Sequence, residues 1–288
     1  MRLDERIPYL MVLPTVFAIS FLFFYPLASV IWTAFTQTGF GPTSQSTSIT
    51  FNNFFTILFD ERFQKSMWRT LIWVVCQTSG VVLLGLFVAT LINQDIKMKK
   101  IFFSLILLPW ILPTYVEATT WKLLLHPNFG MVNKILGDIG LVPLEMSWLG
   151  NPNIAMYMCL LVSLWKLYPI STLMIYASMQ AIPIELYDAS KVDGTNKLQS
   201  WRYITLPHLK GILGVVALIA MIWGFHAFNF VYMMTQGGPI HESEIAAVYI
   251  YELAFRGLEF GTASSAAVLL FILTAIVATV YIRRTRAY

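Results

Sequence analysis

The chain has 288 residues, of which 57% are hydrophobic, 15% aromatic and only 12% charged, with a formal net charge of +4; its mean hydropathy is +0.68. A soluble domain is about one quarter charged, so too few charges are present to cover a water-facing surface, and a soluble globular protein is excluded. The basic excess calls for no nucleic-acid partner, because Lys and Arg beside membrane segments meet anionic lipid headgroups.

A hydrocarbon core about 30 Å thick takes roughly 20 mostly apolar residues per helix. Six segments qualify: 9–35, 67–92, 101–125, 154–179, 212–234 and 263–282. The runs are continuously apolar, whereas barrel strands alternate over about 10 residues. The expected fold class is therefore all-α, a polytopic six-helix membrane protein forming a single transmembrane domain over 1–288. The first span begins close to Arg6 but outruns the apolar core of a signal peptide, about 7–15 residues, and shows no small-residue cleavage site; it reads as an uncleaved helix. Pro14, Pro26, Pro109, Pro113 and Pro169 fall inside spans and predict kinks.

Basic residues favour the cytoplasm in short loops. With both termini inside, the cytoplasmic segments hold Arg2, Arg6, Lys97, Lys99, Lys100, Lys191, Lys197, Arg202, Lys210, Arg283, Arg284 and Arg286, twelve in all. The opposite side holds five, Arg62, Lys65, Arg69, Lys134 and Arg256. An even number of spans agrees with this bias.

Cys76 and Cys159 lie within spans, with no C-x-x-C and no neighbouring His, and read as small apolar packing residues. The sequence holds no G-x-x-x-x-G-K-[ST], G-x-S-x-G or H-E-x-x-H. No catalytic residue, metal site or cofactor is expected in this chain; energy, if consumed, comes from another subunit.

A polar segment, 181–211, joins the fourth and fifth spans and is expected in the cytoplasm as a docking surface. Pro183 suits the first position of a helix, since its missing N–H is an orphan there. Glu185 and Asp188 follow in the first turns and Lys191 in the last, as the helix dipole favours. Gly194 supplies a left-handed stop. Thr195 or Asn196 caps a second short helix through Tyr203, limited by Pro207. Leu186, Tyr187, Val192, Trp201 and Tyr203 are the expected contact residues; an ordinary solvated connector is the competing reading.

The pattern E-L-Y-D-A-S-K-V-D-G at 185–194, with Leu206–Pro207 downstream, resembles the E-A-A loop of inner-membrane permeases of binding-protein-dependent ABC importers. Asp188 stands where that family usually has Glu, Ser190 where Ala is common, and Thr195 where Ala often follows D-G. The ordered motifs L-P-W-I-L-P-T (108–114), W-K-L-L-L-H-P-N-F-G (121–130), W-L-G-N-P (148–152), W-K-L-Y-P (165–169), T-Q-G-G-P (235–239) and Y-I-Y-E-L-A-F (249–255) extend the resemblance along nearly the whole chain, toward the maltose-type sugar-permease branch. The loop at 36–66 is too short for the large external domain of the maltose permease itself.

The resemblance implies the type I importer permease fold in a bacterial or archaeal cytoplasmic membrane. It also implies alternating access, a second similar permease, an external solute-binding protein, and two ATP-binding subunits that carry ATP and Mg. Those subunits would dock through Glu185, Asp188, Ala189, Asp193, Gly194 and Pro207.

Ionisable groups at membrane depth cost about 2.5–3.5 kcal/mol on insertion scales and usually face protein or a water cavity. Glu117 in the third span and Lys166 in the fourth stand out; a neutral His226 needs only one hydrogen bond. Two readings stay open for Glu117 and Lys166, a mutual ion pair or a solute contact. The resemblance points to solute contacts in W-x-x-Y-P, which holds Lys166, at Trp110 and Thr114 of L-P-x-x-x-P-[ST], and near Trp223. Aromatic faces suit the C–H side of a sugar ring, and charged groups take its hydroxyls. Trp110, Thr114, Glu117, Ser163, Lys166, Trp223 and His226 form the candidate solute set for a sugar or oligosaccharide. Glycerol phosphate or another anion is the alternative, because Lys166 is unusual in a neutral cavity. A secondary transporter would need internal repeats with paired broken helices, which are not found, and a membrane-embedded enzyme a recognisable catalytic spacing.

Overall fold

The computed structural model describes residues 3–36, 48–143 and 145–285. Arg2 and Arg286 of the basic count, and the 37–47 part of the first external loop, lie outside them. Among the described residues there is no strand beyond an isolated bridge between Thr36 and Ile49. The chain divides into two compact units, Met1–Lys65 with Tyr249–Ile272 and Ser66–Val248 with Leu273–Tyr288.

In the first unit α1 (Leu3–Ile19) runs through a π-helical turn, Ser20–Phe24, into α2 (Tyr25–Ala34). This apolar span buries none of its residues over the membrane-length window within the chain. Its last carbonyls, orphaned at a helix end, are taken by side chains. Asn53 Nδ2, on α3 (Asn52–Leu58), donates to Ala34 O at 3.0 Å and Thr36 O at 2.9 Å, and Ser265 Oγ donates to Ala34 O at 3.1 Å.

The long helix α4 (Glu61–Ile92) leads into the second unit, followed by α5 (Lys99–Ile111) and α6 (Thr114–Leu124). After α7 (Met131–Asp138) comes α8 (Ala155–Gln180), then α9 (Ile184–Val192), α10 (Lys197–Ser200), α11 (Leu206–Phe225) and α12 (Phe228–Met234). A short α13 (Ala246–Tyr251) precedes α14 (Phe260–Thr285). Trp73, Cys159, Val162, Val231 and Ile245 are fully buried in one apolar cluster, against which Cys76 packs. Val81, Ile175, Leu209, Val216 and Ala220 form a second.

Three expectations are corrected. The third span is two helices, bent by 95° at Leu112–Pro113, because the residue before a proline is pushed out of the helical region: Leu112 turns extended at φ −64°, ψ 138°. The fifth span stops at Phe225, and His226 and Ala227 separate it from α12. Pro207 does not end the loop's second helix. From Asn196 the chain runs as one helical rod, Lys197–Phe225, because a π-helical turn, Trp201–Thr205, precedes the proline. The wider turn relieves the clash of the ring with the preceding turn. The same order, a π-turn and then a proline two residues on, occurs at Ser20–Phe24 and Pro26. Pro109 and Pro169 sit inside α5 and α8, which continue past them.

Candidate functional site: the 181–211 loop and the centre of the bundle

The loop begins with Pro183, which forms the N-cap of α9 one residue before its expected place. Glu185 lies in the first turn and Lys191 in the last; Lys191 Nζ pairs with Asp188 Oδ1 at 2.8 Å, an exposed contact that contributes little. Asp193 caps the helix, and Gly194 follows at φ +76°, the left-handed conformation that its missing Cβ permits. Of the two cap candidates, Asn196 does the capping. Its Oδ1 accepts from Gln199 N at 2.9 Å and its N–H donates to Gln199 Oε1 at 2.8 Å. Thr195 instead folds back on Ser190 O, with N at 3.0 Å and Oγ1 at 2.8 Å.

Ser190, a departure from the family pattern, is the buried member of α9. Its hydroxyl donates to Tyr187 O and lies 3.2 Å from Ser200 Oγ, itself 3.0 Å from Thr195 Oγ1. Two expected contact residues also turn inward. Tyr187 Oη lies 2.9 Å from Thr205 Oγ1, and Trp201 Nε1 donates to Thr90 Oγ1 of α4 at 3.3 Å. Indole and phenol at a membrane face carry a polar atom that needs a partner, and here the bundle supplies it. The outward surface is made by Glu185, Leu186, Asp188, Ala189, Val192, Gly194 and Tyr203, all exposed, with Val192 at 88%.

At membrane depth, Glu117 of α6 is 1% exposed and Lys166 of α8 9% exposed. They are brought together, Lys166 Nζ standing 3.0 Å from Glu117 Oε2. The same ammonium donates to Leu112 O at 2.5 Å, the carbonyl at the break in the third span. Oε1 of Glu117 has no hydrogen-bond partner among the described residues. Trp110 and Trp223 line a single cavity of about 290 Å³ between α5, α8 and α11, with Ser171, Met174 and Val216. The Ser171 hydroxyl, buried, is without a hydrogen-bond partner among the described residues. The Ser171 oxygen points toward Gly85 of α4, where an added Cβ would overlap it, so the cavity itself offers an apolar, indole-lined wall suited to the C–H face of a ring.

The other candidates lie elsewhere. Thr114 is the first residue of α6. His226 is exposed at the end of α11, its Nδ1 2.9 Å from Ile222 O. Ser163 gives its proton to Gln77 Oε1 at 2.9 Å. Gln77 is the residue that sequence reasoning missed. Its Oε1 also accepts from Trp73 Nε1 at 2.7 Å, while its Nε2 donates to Ala220 O at 3.1 Å. One buried amide thus joins α4, α8 and α11. A lone Gln inside the apolar run W-V-V-C-Q was its signal.

The motif-bearing segments outside the spans also carry side-chain hydrogen bonds to the backbone. In 121–152, Asn133 Nδ2 donates to Pro127 O at 3.0 Å and Met146 O at 2.8 Å, and its Oδ1 accepts from Trp148 Nε1. In T-Q-G-G-P, Thr235 Oγ1 lies 2.7 Å from Ser243 Oγ, which donates to Gly238 O at 2.6 Å.

Comparison with known proteins adds the family. Residues 81–286 match the family described as "Binding-protein-dependent transport system inner membrane component". The trehalose/maltose transport system permease MalF of Thermococcus litoralis is 28% identical over 281 residues, covering 97% of this chain and 94% of the relative. The sulfoquinovosyl glycerol transport system permease SmoG of Agrobacterium fabrum is 30% identical over 283 residues, 98% of this chain and 91% of the relative. A crystal structure of a bacterial ABC transporter involved in import of the acidic polysaccharide alginate holds a chain of the same fold, with TM-score 0.88 and 21% identity over 99% of this chain and 96% of that one. A polytopic helical chain that matches this family over most of its length belongs to it: the protein is an inner-membrane component of a binding-protein-dependent transport system.

Proposed function

We propose that the chain is the translocating permease subunit of an ATP-driven importer for a sugar or oligosaccharide, delivered by an external binding protein. The observation that carries this reading is similarity over more than nine-tenths of the chain to two permeases named for saccharide solutes. The cavity lined by Trp110 and Trp223 supports it, since it offers an aromatic, apolar wall to the C–H side of a ring. At about 290 Å³ it lies at the lower edge of small-molecule sites, roughly 300–1,000 Å³. An anionic solute loses its main argument, because the charge of Lys166 is balanced by Glu117.

In this reading the chain pairs with a second permease, and two ATP-binding subunits hold ATP and Mg. They dock on the outward face of α9, at Glu185, Asp188 and Ala189, with the Asp193–Gly194 turn fixing its angle. Both termini and 181–211 are cytoplasmic. Closure of the ATP-binding subunits moves α9, and through the rod from Lys197 to Phe225 the motion reaches Trp223. The third-span break, held by Lys166, lies beside the path.

Purification of the tagged chain from its native membrane, followed by uptake assays in vesicles, tests the proposal. ATP-binding subunits and a second permease should copurify, and uptake of one saccharide should need ATP and the binding protein. Transport by the isolated chain, or saccharide-independent uptake of an anion, refutes it.

A further inference from the structure

Helices α11 and α14 approach closely at Gly214. A Cβ there would stand 2.9 Å from Thr285 Cγ2, and Tyr281 Oη donates to Gly214 O at 3.1 Å. One turn toward the end of the bundle that carries α9 the contact opens, and no atom lies within 4 Å of where a Cβ on Gly211 would be. The result is a crevice of about 800 Å³ lined by Pro207, Lys210, Gly211, Tyr281, Arg284 and Thr285. Lys210 and Arg284 reach it from the two helices, are exposed, and make no ion pair among the described residues. Further along the same helices Val215 and Val280 leave apolar side chains about half exposed.

We propose that this crevice binds the phosphate of an anionic phospholipid. The guanidinium of Arg284 offers a planar fork of donors to phosphate oxygens, and Lys210 adds a compact second charge. Lys210 immediately precedes the uncharged stretch 211–225 of α11 and Arg284 lies in the last turn of α14, so both cations border apolar helix at the depth where headgroups lie, and basic pockets between such helices attract them. The exposed valines continue the site toward the membrane interior, where acyl chains rather than water meet them. A free phosphate would use the cations alone; a lipid uses the apolar surface as well. An acidic segment of a partner protein would leave that surface uncovered. The assignment is independent of the solute carried, since it needs only a protein embedded in the inner membrane.

The test extracts the assembled importer from its membrane into polymer-bounded discs and quantifies its lipids by mass spectrometry. The wild type should be enriched in phosphatidylglycerol over the bulk membrane. The Lys210→Gln, Arg284→Gln double variant should lose that enrichment, with phosphatidylglycerol affinity in phosphatidylcholine vesicles falling on the order of thirtyfold. The conservative pair Lys210→Arg, Arg284→Lys should keep it, and so should Lys134→Gln, a distant charge loss. Equal enrichment in wild type and double variant overturns the site. Inorganic phosphate bound as tightly as phosphatidylglycerol makes it a free-anion site and overturns the lipid assignment. Retained lipid with loss of the ATP-binding subunits makes the crevice a protein contact and overturns it as well.

Discussion

Lys166 Nζ stands 3.0 Å from Glu117 Oε2 and donates to Leu112 O at 2.5 Å. One ammonium therefore answers both a buried carboxylate and the carbonyl released where the third span breaks. Removing one member of a buried pair costs about 3–5 kcal/mol, because the other charge is left without compensation. Lys166→Met should lower the thermal midpoint and membrane abundance of the complex strongly, and Glu117→Gln less, since Lys166 then keeps Leu112 O. The double variant should recover most of the loss in midpoint. A Lys166→Met protein of wild-type stability whose solute preference has changed would instead make the lysine a solute contact.

Gln77 concentrates three hydrogen bonds in one buried side chain, two of them between spans, to Ser163 and Ala220. Such bonds between membrane helices average about 0.6 kcal/mol each, while an orphaned buried donor costs about 1–3 kcal/mol. Gln77→Leu orphans the Trp73 and Ser163 donors, so the second magnitude governs, and a loss of about 2–4 kcal/mol is expected for the pair of donors. Ser163→Ala should be much milder. The two should be less than additive, because they share a contact. Denaturation of the purified complex measures this; strict additivity would show that the amide does not link α4 to α8.

Five of the six expected spans were legible because each is a long apolar run, the third being a bent helix pair, and Gly194 was legible because a short polar helix needed a left-handed stop. What escaped the sequence depends on partners remote in the chain. Five prolines looked equivalent, yet only Pro113 stands at a sharp break, where Lys166, more than fifty residues on, receives the released carbonyl. Pro207 failed to stop a helix because a π-turn, stabilised by nothing visible in local propensity, prepared its place. Tyr187 and Trp201 looked like free contact residues until Thr205 and Thr90 engaged their polar atoms. Within the candidate solute set, residue types were readable but surroundings were not: Ser163 turned to Gln77, and Trp110 and Trp223 came to line one cavity.

Gly194 has φ +76° and open space around the position of a Cβ, so a substitution there meets a backbone penalty and no packing clash. A β-branched residue resists this conformation, at a cost of roughly 1–2 kcal/mol, whereas Asn tolerates it. Gly194→Val should reduce uptake and solute-stimulated ATP hydrolysis several-fold while the subunit remains inserted. Gly194→Asn should stay near wild type. If both variants transport normally, the angle after α9 does not matter to coupling.

The proposed orientation, with 181–211 in the cytoplasm and 126–153 outside, rests on the twelve-to-five division of basic residues and is open to direct labelling. Labelling sites should avoid residues with structural duties. Asn196 caps the helical rod and Asn151 Oδ1 accepts from Asn153 N, so Val192 and Asn153, both exposed, are the better positions. In a background lacking Cys76 and Cys159, an impermeant thiol reagent applied to intact spheroplasts should modify Asn153→Cys and spare Val192→Cys. Opening the membrane should make Val192→Cys reactive, because its side chain is 88% exposed within the chain. Protection that persists in opened membranes and disappears when the ATP-binding subunits are stripped would identify Val192 as part of their docking face. Labelling of Val192→Cys in intact cells would reverse the orientation and remove α9 from any contact with those subunits.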